Sequence, residues 1–124
     1  MDRDFTTGGN TFYSPEETFG IPELKGRVLR IHNIDLFYLI KNKSTQIISK
    51  HDICVSVGTD RRRLEKADLS YPIWVYEGLS NIHNKKYLMA DGKHRFYKQK
   101  GETIEAYIFS LEEIKPLIRL ERLL

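Results

Sequence analysis

A single small α/β domain is what this sequence predicts, and three observations predict it. The chain has 124 residues, near the usual size of one domain and long enough for one core. Hydrophobic residues make up 40% and charged residues 30%, with seven Tyr and six Phe, so there is enough apolar surface to bury. Short β-branched or aromatic runs also alternate with helical patterns, and glycine-bearing turns separate them.

Taken in order, residues 1–25 read as an arm that is flexible or loosely docked, because Gly8-Gly9-Asn10 interrupts any apolar period. Ser14-Pro15-Glu16-Glu17 has the order of a helix start, but Gly20 and Pro22 allow at most a turn. The domain itself is expected over 26–124. Val28, Leu29 and Ile31 suit a short strand or an extended link, and Asn33 caps a buried helix over 34–42. Thr45–Ser49 and Ile53–Val57 have strand composition. Thr59 or Asp60 then caps a short basic helix from Arg61 to Ala67. Tyr71–Tyr76 and Lys86–Ala90 form a hairpin across a long turn-rich loop. A helix from Lys93 to Lys100 ends at Gly101, where a left-handed cap is expected. After the strand Ile104–Phe109, Ser110 and Glu113 form a capping box. The C-terminal helix behind it carries the stripe Leu111, Ile114, Leu117, Ile118 and Leu120, and Pro116 kinks or divides it.

The N-terminus has no basic start followed by an apolar stretch, and no apolar run approaches the roughly 18 residues of a spanning helix. A cytoplasmic protein without membrane contact is the expectation. Cys54 is the single cysteine, so no internal disulfide can form, and among Ile53, Val55 and Val57 it reads as a buried apolar residue. The formal charge is +3, but it is uneven. From Asp60 to Gly101 ten Lys or Arg face five acids, which favours a phosphate-bearing partner.

The segment Asp91-Gly92-Lys93-His94-Arg95 carries the chemistry. A strand, a glycine turn and a helix together present backbone N–H groups and a positive dipole end to an anion. Gly92 lets the backbone approach a phosphate, and Lys93, His94 and Arg95 add charge. Asp91 caps the helix, orients Arg95 or His94, or takes part in catalysis. Arg95 is the expected principal phosphate ligand, because its planar fork holds two oxygens at once. His94 is expected to bind better when protonated, so affinity should weaken as pH rises from about 6 to about 8.

These residues resemble the ParB/sulfiredoxin-like superfamily, and within it small ParB-like proteins, often phage-encoded, with an Asp-Gly-x-His-Arg turn. The matching pieces are Ile47-Ile48, Asp52-Ile53, Ala67 to Ile73, Tyr87 to Arg95, and Gly101 before Ile104–Phe109. The resemblance implies a small mixed β-sheet packed with helices, the turn gripping nucleotide phosphates, and ATP, ADP or CTP with Mg²⁺ as ligands. Superfamily activities diverge. Lys93 stands where sulfiredoxins have cysteine, and no Gly-Glu-Arg-Arg pattern of the segregation clamps is present. The glutamate of the serine-kinase relatives has no counterpart between Leu24 and Glu65, unless Asp52, Asp60 or Glu65 stands in for it.

Three functions follow from this reading. The first is a nucleotide-binding domain, a phosphotransferase or nucleotide hydrolase, with Gly92, Lys93, His94 and Arg95 on phosphate and Asp91 or Asp68 assisting a hydroxyl or Mg²⁺. The second is a DNA-binding or DNA-nicking protein in which Arg61, Arg62, Arg63, Lys85 and Lys86 track a backbone. The third is an effector that binds a host protein through an apolar patch near Trp74, Tyr76 and Leu79. A nucleotide enzyme needs a carboxylate facing the turn, whereas a DNA binder needs the 61–66 helix and the motif helix on one face.

Overall fold

The structure, a computed structural model, describes residues 9–13 and 28–120. β1 (Gly9–Tyr13) and β2 (Val28–His32) pair antiparallel over their full lengths. Five residues of the stretch read as an arm therefore form a strand. The rest of 1–25, with the Ser14 helix start, lies outside the described residues. α1 (Asn33–Ile40) follows at once and buries Leu36; its N-cap is His32 rather than Asn33. β3 (Gln46–Ser49), a 3-10 turn at Lys50–Asp52 and the two-residue β4 (Ile53–Cys54) lead to α2 (Arg61–Lys66). Then come β5 (Ile73–Glu77), β6 (Tyr87–Asp91), α3 (Lys93–Lys98), β7 (Thr103–Phe109), α4 (Leu111–Ile114) and β8 (Arg119–Leu120).

The main sheet is five-stranded and mixed, in the order β3-β7-β5-β6-β4. β5 runs antiparallel to β6, as the hairpin reading requires, and parallel to β7; β4 lies parallel to β6. Its two edge strands, β3 and β4, are joined by only three residues. Four flat inter-strand steps would set them about 19 Å apart, and the chain from Ser49 to Ile53 reaches about 14 Å at most. The sheet must therefore curl until its edges approach one another. β1, β2 and β8 form a second, three-stranded sheet.

Central β5 is buried on both faces: Ile73, Trp74, Val75 and Tyr76 are each at most 1% exposed. Trp74 and Tyr76 pack with Leu29, Ile31, Leu36 and Phe109, while Ile73 and Val75 pack with Ile48, Ile53 and Ile104. Trp74, Tyr76 and Leu79 are thus core, and they offer no exposed patch to a host protein. Cys54 is buried as expected.

Two expectations near the C-terminus need correction. Gly101 is not a left-handed cap, because the helix stops earlier. Gln99 is already extended, and the Lys50 ammonium donates to its carbonyl oxygen at 2.6 Å. The Ser110 capping box is present and Pro116 divides the final helix, but Arg119–Leu120 leave the helical path for a strand against β2. Proline removes the donor that would continue the helix, and β2 supplies backbone partners in its place.

Candidate nucleic-acid interface

The motif turn is built around the Arg95 side chain. Gly92 sits at φ +108°, and a Cβ there would lie 2.8 Å from both Arg95 Nη2 and Ile73 Cγ2. Only glycine fits that position, because the guanidinium folds back over the backbone of its own turn. Arg95 is 6% exposed. Its Nη1 donates to the Pro72 carbonyl oxygen at 2.6 Å and its Nη2 to Asp91 Oδ2 at 2.7 Å. Where phosphate binding was expected of Arg95, the guanidinium of the unliganded protein points inward, held by the Pro72 carbonyl oxygen and the Asp91 carboxylate. Asp91 is its ion-pair partner, and the helix cap is Gly92 itself.

His94 makes a different bond. Its Nε2 accepts the backbone N–H of Asp60 at 3.1 Å, across 34 residues of sequence. An accepting Nε2 carries no proton, so the neutral ring holds its proton on Nδ1. Burial, then the Arg63 and Lys93 charges, lower its pKa below the ordinary histidine value against the opposing pull of Asp60. A protonated His94 is therefore disfavoured in the unliganded protein.

Three pairs spaced by four residues share the work of this segment. Asp91 and Arg95 fasten the connector at Pro72. Lys93 and Tyr97 both reach Ser56, through its Oγ at 3.5 Å and its carbonyl oxygen at 2.9 Å. His94 holds the start of α2, while Lys98 donates to the carbonyl oxygens of Glu65 and Ala67 at 2.8 and 2.9 Å, capping its end. The two helices consequently run side by side in the same direction. Ser56, Tyr97 and Lys98 were not singled out from the sequence; the spacing of four along one helix was the available signal.

α2 turns its charge outward. Asp60 caps it by accepting the Arg63 N–H at 3.1 Å, and Arg61, Arg62, Arg63 and Lys66 are all exposed. Arg61 meets Glu65 at 3.4 Å, but with side chains 92% and 67% exposed this pair contributes little. Lys85 and Lys86 do not join this face. They precede β6, whereas the motif follows it, which separates them from Gly92 by roughly 20 Å of extended chain. Instead they line a cleft of about 330 Å³ with Glu77, Leu79 and Asn81. The Lys86 ammonium sits over the Tyr87 ring, and hydrogen bonding to Tyr87, with the Glu77 charge, raises its pKa.

Asp68 is a turn residue. Its Oδ1 accepts from the Ser70 N–H at 2.9 Å and from its hydroxyl at 2.6 Å, and these bonds hold its pKa below the usual carboxylate value. Among the described residues, no three His, Cys, Asp or Glu side chains come together as a metal-ligand set. No family model, curated protein or solved structure matches the chain. No helix among the described residues is long and apolar enough to cross a membrane.

Proposed function

We propose that this protein binds the phosphate backbone of a nucleic acid through the cationic face formed by α2 and the start of α3. The observation that carries the reading is the 3.1 Å bond between His94 and Asp60, which gathers two helix starts and sets Arg63 and Lys93 around one imidazole. With Arg61, Arg62 and Lys66 exposed on the same short helix, a polyanion would relieve the mutual repulsion of these charges. This is the shared face on which the nucleic-acid reading depends.

A polymer suits this face better than a mononucleotide. Neighbouring side chains on a helix point about 100° apart, so the arginines cover a surface and do not converge on one phosphate. Asp91 and Arg95, the groups that would have served a nucleotide, are engaged with each other. The chemistry supported is electrostatic binding with little base discrimination. The likeness to the ParB/sulfiredoxin-like superfamily belongs to the same proposal, with the turn acting as scaffold for the face.

Fluorescence anisotropy with a labelled oligonucleotide, titrated between about 50 and 200 mM salt, tests the reading. A duplex contacted by four or five cations should give a log–log salt slope near −4, at about −0.9 per phosphate. ATP, ADP and CTP with Mg²⁺ should compete only weakly. No binding at the lowest salt, or a nucleotide that displaces the oligonucleotide stoichiometrically, would overturn the proposal.

A further inference from the structure

The contact between His94 and Asp60 is incompatible with a protonated ring. An imidazolium has an N–H on both nitrogens and cannot accept the Asp60 N–H that now reaches Nε2. That N–H belongs to the N-cap of α2, so whether the ring is charged decides whether α2 is fastened at its start. The end of α2 is fastened separately by Lys98, through the carbonyl oxygens of Glu65 and Ala67. Losing the first contact would therefore loosen one end of the helix and leave the other in place.

The charged groups acting on the ring come from both helices. Arg63 on α2 and Lys93 on α3 oppose a third positive charge, and Asp60 favours it, while the carboxylate of Asp60 also accepts the Arg63 N–H. A phosphate chain lying against Arg63 and Lys93 would cancel the two charges that resist protonation. Proton uptake and polyanion binding must then reinforce each other, because coupling between two binding events is reciprocal.

We infer that His94 is a proton-operated latch: neutral, it holds the start of α2 against α3, and protonated, it releases the Asp60 amide and joins Arg63 and Lys93 as a third cation facing bound phosphate. The second half rests on the phosphate-backbone reading above, and the first half does not. The consequence is a face that grips nucleic acid more tightly in mild acid, through a mechanism in which the histidine first stops serving as an internal acceptor.

Amide NMR and oligonucleotide anisotropy, each run from about pH 7.5 to about pH 5, separate the two halves. The proteins are the parent and His94→Gln, whose side-chain oxygen can accept the same N–H without titrating. The Asp60 amide resonance should shift with the His94 ring in the parent and stay still in the variant. Affinity should rise about three- to sixfold more in the parent, the effect of one charge roughly 4 to 6 Å from a phosphate in a water-like medium. An Asp60 amide indifferent to the ring's titration would overturn the latch. An equal rise in both proteins would overturn its coupling to binding. A parent that binds no oligonucleotide at either pH would overturn the phosphate reading and the coupling together, while the amide data would still decide the latch.

Discussion

Arg95 and Arg63 stand on neighbouring helices of similar length, carry the same charge and have opposite fates. Arg95 is buried, with one nitrogen on a carbonyl and another on a carboxylate, whereas Arg63 is exposed and touches the rest of the protein mainly through its field on His94. What separates them is the residue four positions earlier. Asp91 precedes Arg95 by one turn and Gly92 leaves room for the guanidinium to fold back, while Thr59 precedes Arg63 and the nearby Asp60 carboxylate is used as the helix cap, on the Arg63 backbone N–H. A cation in a motif is therefore a ligand candidate only after the acids within one turn have been counted.

The inward arginine supplies the largest expected effects. Arg95→Ala removes the ion pair with the partly buried Asp91 and the bond to the Pro72 carbonyl oxygen, which should cost about 3 kcal/mol in denaturant unfolding. A loss under about 0.5 kcal/mol, the usual size of a surface change, would erase the contrast with Arg63. Gly92→Ala combines a left-handed φ with a methyl 2.8 Å from Arg95 and Ile73, so a loss of roughly 2 kcal/mol is expected. A Gly92→Ala protein as stable as the parent would mean that the turn relaxes freely around Arg95.

His94 lies between the extremes. His94→Ala should cost roughly 1 kcal/mol near neutral pH, the worth of one hydrogen bond. The sign with pH follows from a folded-state pKa that lies below the unfolded one. The contribution is fully present above the unfolded value of about 6.5 and is lost as pH falls through the lower folded value. The gap between parent and Ala variant should accordingly narrow toward about pH 5. A gap that widens in acid would show that the charged ring is the one that stabilises the fold.

Much of the framework was legible because it is local. The Ser110 capping box, the division at Pro116 and the turn at Gly92 each follow from residues a few positions apart, and the hairpin from two strand-like runs on either side of one turn-rich loop. What was not legible depends on distant partners. Gln99 ends α3 because Lys50 reaches its carbonyl, and Arg119–Leu120 become a strand because β2 lies alongside. Lys85 and Lys86 look continuous with the basic stretch along the chain, but the length of β6 carries them away from it. The inward turn of Arg95 was half legible, since its spacing from Asp91 was visible while the Pro72 acceptor was not.

The outward arginines should matter least to folding and most to binding. Replacing Arg61, Arg62 and Arg63 together with Ala should change unfolding stability by about 0.5 kcal/mol or less per site. The salt dependence of oligonucleotide affinity in the parent and this triple variant is the most direct test of the division between the two kinds of cation. The log–log slope should fall by about 2 to 3, close to one for each phosphate contact removed, with the circular dichroism spectrum unchanged. A triple variant that binds as tightly as the parent, with the same slope, would contradict the account and reduce the α2 face to solvated charge.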